Sequence, residues 1–198
     1  MQNIMDKVYK IILASGSPRR QQFFKEFDFN FEIRLKEIEE VYPEHLKAEE
    51  ITNYLSELKA NAFDESLAND ELLITSDTIV WHNNKALGKP KDYDDAFQIL
   101  KSLSNSTHKV ITSVCFKTIE KSEVIHEVTK VTFSDLTDDQ VHYYLKNYQP
   151  FDKAGAYGIQ DWIGLIGISK IEGSYTNVVG LPTEKVYNYL TKNFVLNK

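Results

Sequence analysis

Val8-Tyr9-Lys10-Ile11-Ile12-Leu13-Ala14 runs directly into Ser15-Gly16-Ser17-Pro18-Arg19-Arg20, and this junction decides how the chain is read. The first segment is a buried strand by its continuous apolar run. Ser15-Gly16-Ser17 breaks it. Pro18 has the fixed φ that suits a helix's first turn, with Ser17 as the N-cap. That helix carries Phe23, Phe24 and Phe27 inward, and residues 29–35 form a second strand. A strand–helix–strand opening follows.

The rest of the chain keeps alternating. Residues 48–67 are the clearest helix, with Ile51, Leu55, Leu58 and Ala62 at helical spacing and no Gly or Pro. Residues 72–81 form an apolar strand interrupted by Thr75-Ser76-Asp77-Thr78, and Asn83-Asn84 turns it into a short return strand. Asp92 caps a helix that buries Ala96, Ile99, Leu100 and Leu103. Residues 110–116 and 124–133 are strands. Thr137-Asp138-Asp139-Gln140 has the capping-box pattern of a helix to about Tyr148. Residues 155–158 are a glycine-punctuated loop, 163–171 a strand and 182–194 a closing helix. Alternating strands and helices predict an α/β or mixed α+β class, and with no repeat or linker the 198 residues read as a single domain, or two small lobes around a cleft.

Composition sets limits on function. Hydrophobic residues make up 42% and charged residues 26%, an ordinary globular balance. Cys115 is the single cysteine, which excludes an internal disulfide and a cysteine-based zinc site and fits a reducing, cytoplasmic compartment. It reads as a small buried hydrophobe. Residues 1–10 are polar and lack the apolar core of a leader peptide, and no run is long enough to cross a bilayer. A formal net charge of -6 disfavours non-specific binding to nucleic acid or anionic membrane, so positive charge toward a polyanion must be gathered locally.

Four segments carry candidate chemistry. At Ser15 to Arg20 the backbone N–H groups of a helix start converge on a point suited to anions. Arg19 and Arg20 stand near the positive end of the helix dipole, where each costs about 0.3–1 kcal/mol unless an anion is bound. The alternative is a capped helix with two solvated arginines. Asp77 places a carboxylate in a strand that is otherwise apolar. A buried charge needs a partner, so Asp77 faces a cleft, a metal or a cation, or pairs with a lysine for structure. In Gly88-Lys89-Pro90-Lys91, Pro90 keeps Lys89 extended, offering lysines to phosphate oxygens or to solvent. In Asp152-Lys153-Ala154-Gly155-Ala156-Tyr157-Gly158-Ile159-Gln160, small residues admit close approach of a ligand, and the Gln160 amide both donates and accepts, as reading a base edge requires. A tight turn is the competing reading. Glu37, Glu39, Glu40 and Glu44 form an acidic cluster, a solvated face of which one member can hold Mg²⁺ alongside substrate phosphates. The histidines at 45, 82, 108, 126 and 142 show no metal-ligand spacing and read as surface or structural.

Taken together, Leu13-Ala14-Ser15-Gly16-Ser17-Pro18-Arg19-Arg20, Lys59-Ala60, Ser76-Asp77-Thr78-Ile79-Val80, Lys89-Pro90, the run from Asp152 to Gln160 and Asn177-Val178-Val179-Gly180-Leu181-Pro182 resemble, in order, the Maf family of nucleotide pyrophosphatases. The resemblance implies an elongated mixed α/β fold similar to the ITPase type, with a twisted mixed sheet, flanking helices and a central cleft. It also implies a homodimer and Mg²⁺- or Mn²⁺-aided hydrolysis of nucleoside triphosphates to monophosphate and pyrophosphate. Asp77 matches the family's proton acceptor, and Arg19, Thr78 and Gln160 match positions linked to substrate choice. Ser15, Arg20, Glu40, Lys59 and Lys89 match phosphate- or metal-side positions, Glu40 being the metal candidate. Thr78 and the Gly-Ile-Gln run resemble the dTTP/UTP branch rather than the 7-methyl-GTP branch. That branch continues after Gln160 with glycines. Asp161 and Trp162 stand here instead, a change expected to reshape the base pocket. The family's link to septum formation offers the other expectation, a nucleotide-binding regulator of cell division without turnover.

Overall fold

The apolar run near the start of the chain becomes β1 (Val8–Leu13), whose Ile11, Ile12 and Leu13 are fully buried. The computed structural model describes residues 7–196. Residues 1–6, part of the polar opening read as lacking a leader, lie outside the described residues. After β1 come α1 (Pro18–Glu26), β2 (Phe31–Ile33), α2 (Glu49–Asn61), β3 (Glu71–His82), β4 (Lys85–Leu87), α3 (Tyr93–Leu103), β5 (Thr107–Lys117) and β6 (Ser122–Phe133). They are followed by α4 (Asp138–Tyr148), α5 (Trp162–Gly167), β7 (Ile168–Glu172), α6 (Tyr175–Val179), α7 (Thr183–Asn193) and β8 (Val195–Leu196).

The sheet is mixed, as the alternation predicts. Its order is β2-β1-β3-β5-β6-β7, with β4 on β3 and β8 on β1. β1 is parallel to β2, β3 and β8, and the remaining pairs are antiparallel. One detail of register makes the cleft. β1 leaves β3 at Leu13↔Ile74, whereas β4 joins β3 only at Val80↔Leu87. Between them the β3 edge at residues 75–79 has no strand on that side. Two apolar clusters flank the gap. One gathers Leu100, Phe133, Val141, Tyr144 and Ile163, and the other Ile11, Leu13, Phe24, Val186 and Leu190.

Several turn and cap expectations hold. Asn83 and Asn84 take φ of 48° and 59°, the left-handed pair a tight hairpin needs. The Asp92 side chain accepts from Asp95 N at 2.8 Å, and Thr137 and Gln140 form the full capping box. Cys115 is fully buried.

Other expectations need correction. The strand expected over 163–171 is split: α5 occupies Trp162–Gly167 and only Ile168–Glu172 is extended. The Ile-Gly-Leu-Ile-Gly run satisfies both periods, and packing decides. Ile163 and Gly167 turn inward one helical turn apart, leaving Leu165 80% exposed. Gly164 lies so close to the Ile159 carbonyl that a Cβ there would stand 2.0 Å from its oxygen. The helix expected over 48–67 ends at Asn61, because Phe63 tucks beneath Ile12, Leu73 and Cys115 and residues 64–66 form a separate 3-10 turn. The strand expected over 29–35 pairs only across Phe31–Ile33. Residues 75–78 do not interrupt β3, whose polar side chains are carried on unbroken ladder backbone.

His108 is 2% exposed, beside Phe133, with Nε2 at 2.7 Å from the Tyr157 hydroxyl. Burial pulls its pKa down from 6.5 to about 3. The folded protein therefore keeps this imidazole neutral, while the unfolded chain takes up a proton below about pH 6.5. Its contribution to stability is complete above that pH and is lost as pH falls toward 3. Between pH 6.5 and 5, before carboxylates with lowered pKa such as Glu71 add their own loss, unfolding free energy should drop by about 1–2 kcal/mol from this group. Urea titrations at several pH values check this. His108→Phe should flatten that part of the curve, and an unchanged slope would show that His108 is not the group responsible.

Candidate active site

Strand alternation on β3 sets the chemistry. Thr75 and Asp77 point toward α2, where Thr75 Oγ1 donates to the Ser56 carbonyl and Asp77 meets Lys59. Thr78 points the other way, toward α1 and α6, where its hydroxyl accepts from Arg20 Nη2 at 2.8 Å. The open strand edge thus exposes a carboxylate on one face and a hydroxyl on the other to one cavity of about 660 Å³.

Of the candidates drawn from the sequence, Ser15, Arg19, Arg20, Glu40, Lys59, Asp77, Thr78, Lys89 and Gln160 line that cavity, whereas Glu37, Glu39 and Glu44 do not. Asp77 satisfies both of its readings at once. It is 6% exposed and accepts from Lys59 Nζ at 2.7 Å, yet it faces the cavity. The same Nζ lies 3.1 Å from Glu40 Oε1, so one ammonium holds together two carboxylates from distant parts of the chain. Glu40 sits on the irregular segment between β2 and α2, and its side chain is half exposed.

The two arginines divide their work. Arg20 Nε donates to the Gly180 carbonyl at 2.8 Å, Nη1 to the Ser76 carbonyl at 2.9 Å, and Nη2 to Thr78. It ties α1, the free β3 edge and the turn after α6 into one wall. Burial lowers its pKa from the ordinary guanidinium value, with the Asp77 charge acting in the opposite sense. Arg19 is looser, with Nε on the Val179 carbonyl at 3.2 Å and Nη1 3.6 Å from Asp152. Ser17 does stand at the N-cap of α1, but its hydroxyl makes no capping bond; its N–H donates instead to Ser15 Oγ at 3.3 Å.

Lys89 is exposed at the rim and has no ion-pair partner among the described residues. Lys91 does not line the cavity. Gln160 borders both the main cavity and an adjoining recess shared with Pro18, Gln22, Phe23 and Val179. The expected disturbance from Asp161 and Trp162 lies elsewhere. Neither lines the cavity: Asp161 turns inward to the Tyr144 hydroxyl, and Trp162 packs on Tyr143.

Charge is gathered where the sequence reading required it. Six basic side chains line the cavity (Arg19, Arg20, Lys36, Lys59, Lys89 and Lys153) against the carboxylates of Glu40, Asp77 and Asp152, although the chain as a whole carries -6. No histidine lines it, and among the described residues no group of three or more His, Cys, Asp or Glu is placed to hold a metal unaided. Glu40, half exposed at the cavity, has the chemistry of a Mg²⁺ ligand that shares the ion with phosphate oxygens and water. The sequence reading missed α6 and the Val179 and Gly180 carbonyls that seat both arginines. Backbone acceptors carry no residue signature, and only the quoted Asn177 to Pro182 run pointed there. Asn177 is fully buried, with Nδ2 on the Val110 carbonyl and Thr129 Oγ1, and so pins α6 across β5 and β6.

Residues 10–193 match the Maf-like protein family. The chain is 68% identical over 185 residues to a dTTP/UTP pyrophosphatase of Flavobacterium johnsoniae, covering 93% of this chain and 95% of that one. It is 69% identical over 181 residues to a dTTP/UTP pyrophosphatase of Flavobacterium psychrophilum, covering 91% and 93%. Among solved structures, a HAM1 protein from Coxiella burnetii is similar with a TM-score of 0.51 at 14% identity, covering 93% of this chain and 100% of that one, a likeness of fold alone. With a continuous family match across the strand edge, both arginines and the glycine loop, this chain belongs to the Maf-like protein family.

Proposed function

We propose that this chain hydrolyses nucleoside triphosphates, dTTP and UTP foremost, to the monophosphate and pyrophosphate. The observation that carries this is the set of six cations around Asp77 in a protein of net negative charge. The relatives' shared name, at up to 69% identity, gives the substrate class.

In this reading Arg19 and Lys89 take the triphosphate oxygens, helped by the N–H groups at the start of α1. Ser15 and Thr78 supply hydroxyls, and Gln160 faces the base. Lys59 orients Asp77 through the 2.7 Å contact from Nζ to Oδ1. Asp77 accepts a proton from water, the water oxygen bonds to phosphorus, and the phosphoanhydride bond breaks with its electron pair leaving on pyrophosphate. Glu40 would hold a Mg²⁺ or Mn²⁺, which would supply neutralisation of phosphate charge. Such chemistry depends mainly on positioning and electrostatics. The lone buried thiol supports a cytoplasmic setting, and no helix among the described residues is long and apolar enough to cross a membrane. One domain acting around one cleft, as a homodimer, belongs to the same reading.

Incubation with dTTP, UTP and CTP plus Mg²⁺, followed by chromatography, tests it. The expected products from UTP are UMP and pyrophosphate, with turnover abolished by excess chelator. UDP with orthophosphate, or nucleotide binding without turnover, overturns the proposal.

A further inference from the structure

Gln160 sits on a turn that is tied to the core at both ends. Asp161 N donates to the Gly158 carbonyl at 3.0 Å, closing a four-residue turn with Gln160 inside it. Gly158 N donates to the Tyr144 hydroxyl at 3.1 Å, and that hydroxyl donates to Asp161 Oδ2 at 2.7 Å. A ring of hydrogen bonds therefore runs from Gly158 through Tyr144 and Asp161 back to Gly158. Tyr144 is fully buried on α4, packed among Val141, Leu145 and Ile163, with its ring stacked on Tyr148. The ring leaves no room for variation at Gly158, where a Cβ would come 2.6 Å from Asp161 Oδ2. The carboxylate fills the space that this glycine leaves. Gln160 itself is exposed at the cavity, so nothing it touches among the described residues fixes its position. The turn must do so.

We propose that the Tyr144–Asp161 pair is a positioning device that holds Gln160 at the cavity and so sets how well the nucleotide base is discriminated. The proposal rests on Gln160 facing the base. Asp161 touches no substrate in this scheme. It acts by withholding freedom from the turn, so that the amide meets the base without first being ordered. Loss of the pair should therefore weaken binding and base choice and spare the chemical step at Asp77.

The test compares Asp161→Ala, Tyr144→Phe, the double variant, Asp161→Asn and Gln160→Ala in steady-state assays with UTP and CTP, with thermal midpoints recorded for each. Asp161→Ala and Tyr144→Phe are expected to raise KM for UTP about tenfold and to shrink the UTP-over-CTP ratio by a similar factor. Their kcat should stay within about twofold of the parent enzyme. Asp161→Asn keeps an oxygen acceptor for Tyr144 and should restore most of KM. The double variant removes the carboxylate that Tyr144→Phe strands, and should be no worse than the weaker single variant. If Asp161→Ala and the double variant keep KM and base preference while Gln160→Ala loses both, the positioning role is wrong and the site reading survives. If Gln160→Ala changes neither, the site reading fails and this proposal fails with it.

Discussion

Asp77→Asn is expected to lower turnover of UTP by about 10²-fold or more, with the fold intact. The substitution keeps the shape of the side chain, and its amide oxygen can still accept from Lys59 Nζ, now 2.7 Å from Oδ1. What disappears is the negative charge in a pocket where the side chain is almost wholly enclosed. A carboxylate there can take a proton from water as the new bond to phosphorus forms; an amide cannot. KM should change little, since Asp77 gives a triphosphate no attraction. If the residue serves as proton acceptor, raising Mg²⁺ will not rescue the variant. Recovery at high Mg²⁺ would assign the charge to metal binding instead, and unchanged turnover would remove Asp77 from the mechanism. Circular dichroism and the thermal midpoint of the variant exclude unfolding as the cause of lost activity.

That Asp77 was legible at all follows from a simple cost. A charge in a strand of Leu72, Leu73, Ile74, Ile79 and Val80 is expensive unless something faces it. Its partner, Lys59, stands 18 residues earlier on α2, and no local rule connects the two. Family resemblance supplied the connection, and the Thr75–Ser56 and Asp77–Lys59 contacts give its physical basis. The short elements were harder to read. Alternation in Ile163 to Ile171 could be satisfied by a strand or by a helix, and the choice was made by Gly164 fitting against Ile159, a contact that sequence periodicity does not contain. The end of α2 was hidden for a similar reason. No glycine or proline marks it, and Phe63 stops the helix by finding a cavity under β1 and β3. Asp161 was visible as a departure from the family pattern, but its direction was not. The buried Tyr144 hydroxyl draws it inward, and the change that looked like a new pocket wall is a support behind the loop.

Arg20 should prove to be as much a part of the fold as of the site. Replacing it with Met is expected to lower unfolding free energy by about 3 kcal/mol, which for a chain of this length is a fall of roughly 6–12 °C in thermal midpoint. The argument rests on what is left behind. The guanidinium donates to the Ser76 carbonyl, the Gly180 carbonyl and Thr78 Oγ1, all at 2.8–2.9 Å. Thr78 Oγ1 in turn lies 2.9 Å from Thr112 Oγ1, which donates to the Asn177 carbonyl. Methionine fills similar volume but answers none of these acceptors, and the Ser76 and Gly180 carbonyls lose the donor that ties the open β3 edge to the turn after α6. Arg20→Lys should recover only part of the loss, because one ammonium on a flexible stem cannot span three acceptors set in a plane for a guanidinium. Activity alone does not separate a strut from a phosphate ligand, since both lose turnover. The thermal midpoint without nucleotide does. A residue that only binds triphosphate would leave it unchanged on substitution and raise KM, whereas the wall-tying role demands that the empty protein melt earlier. An Arg20→Met variant with the parent midpoint would show that these three bonds are not what holds the cleft open.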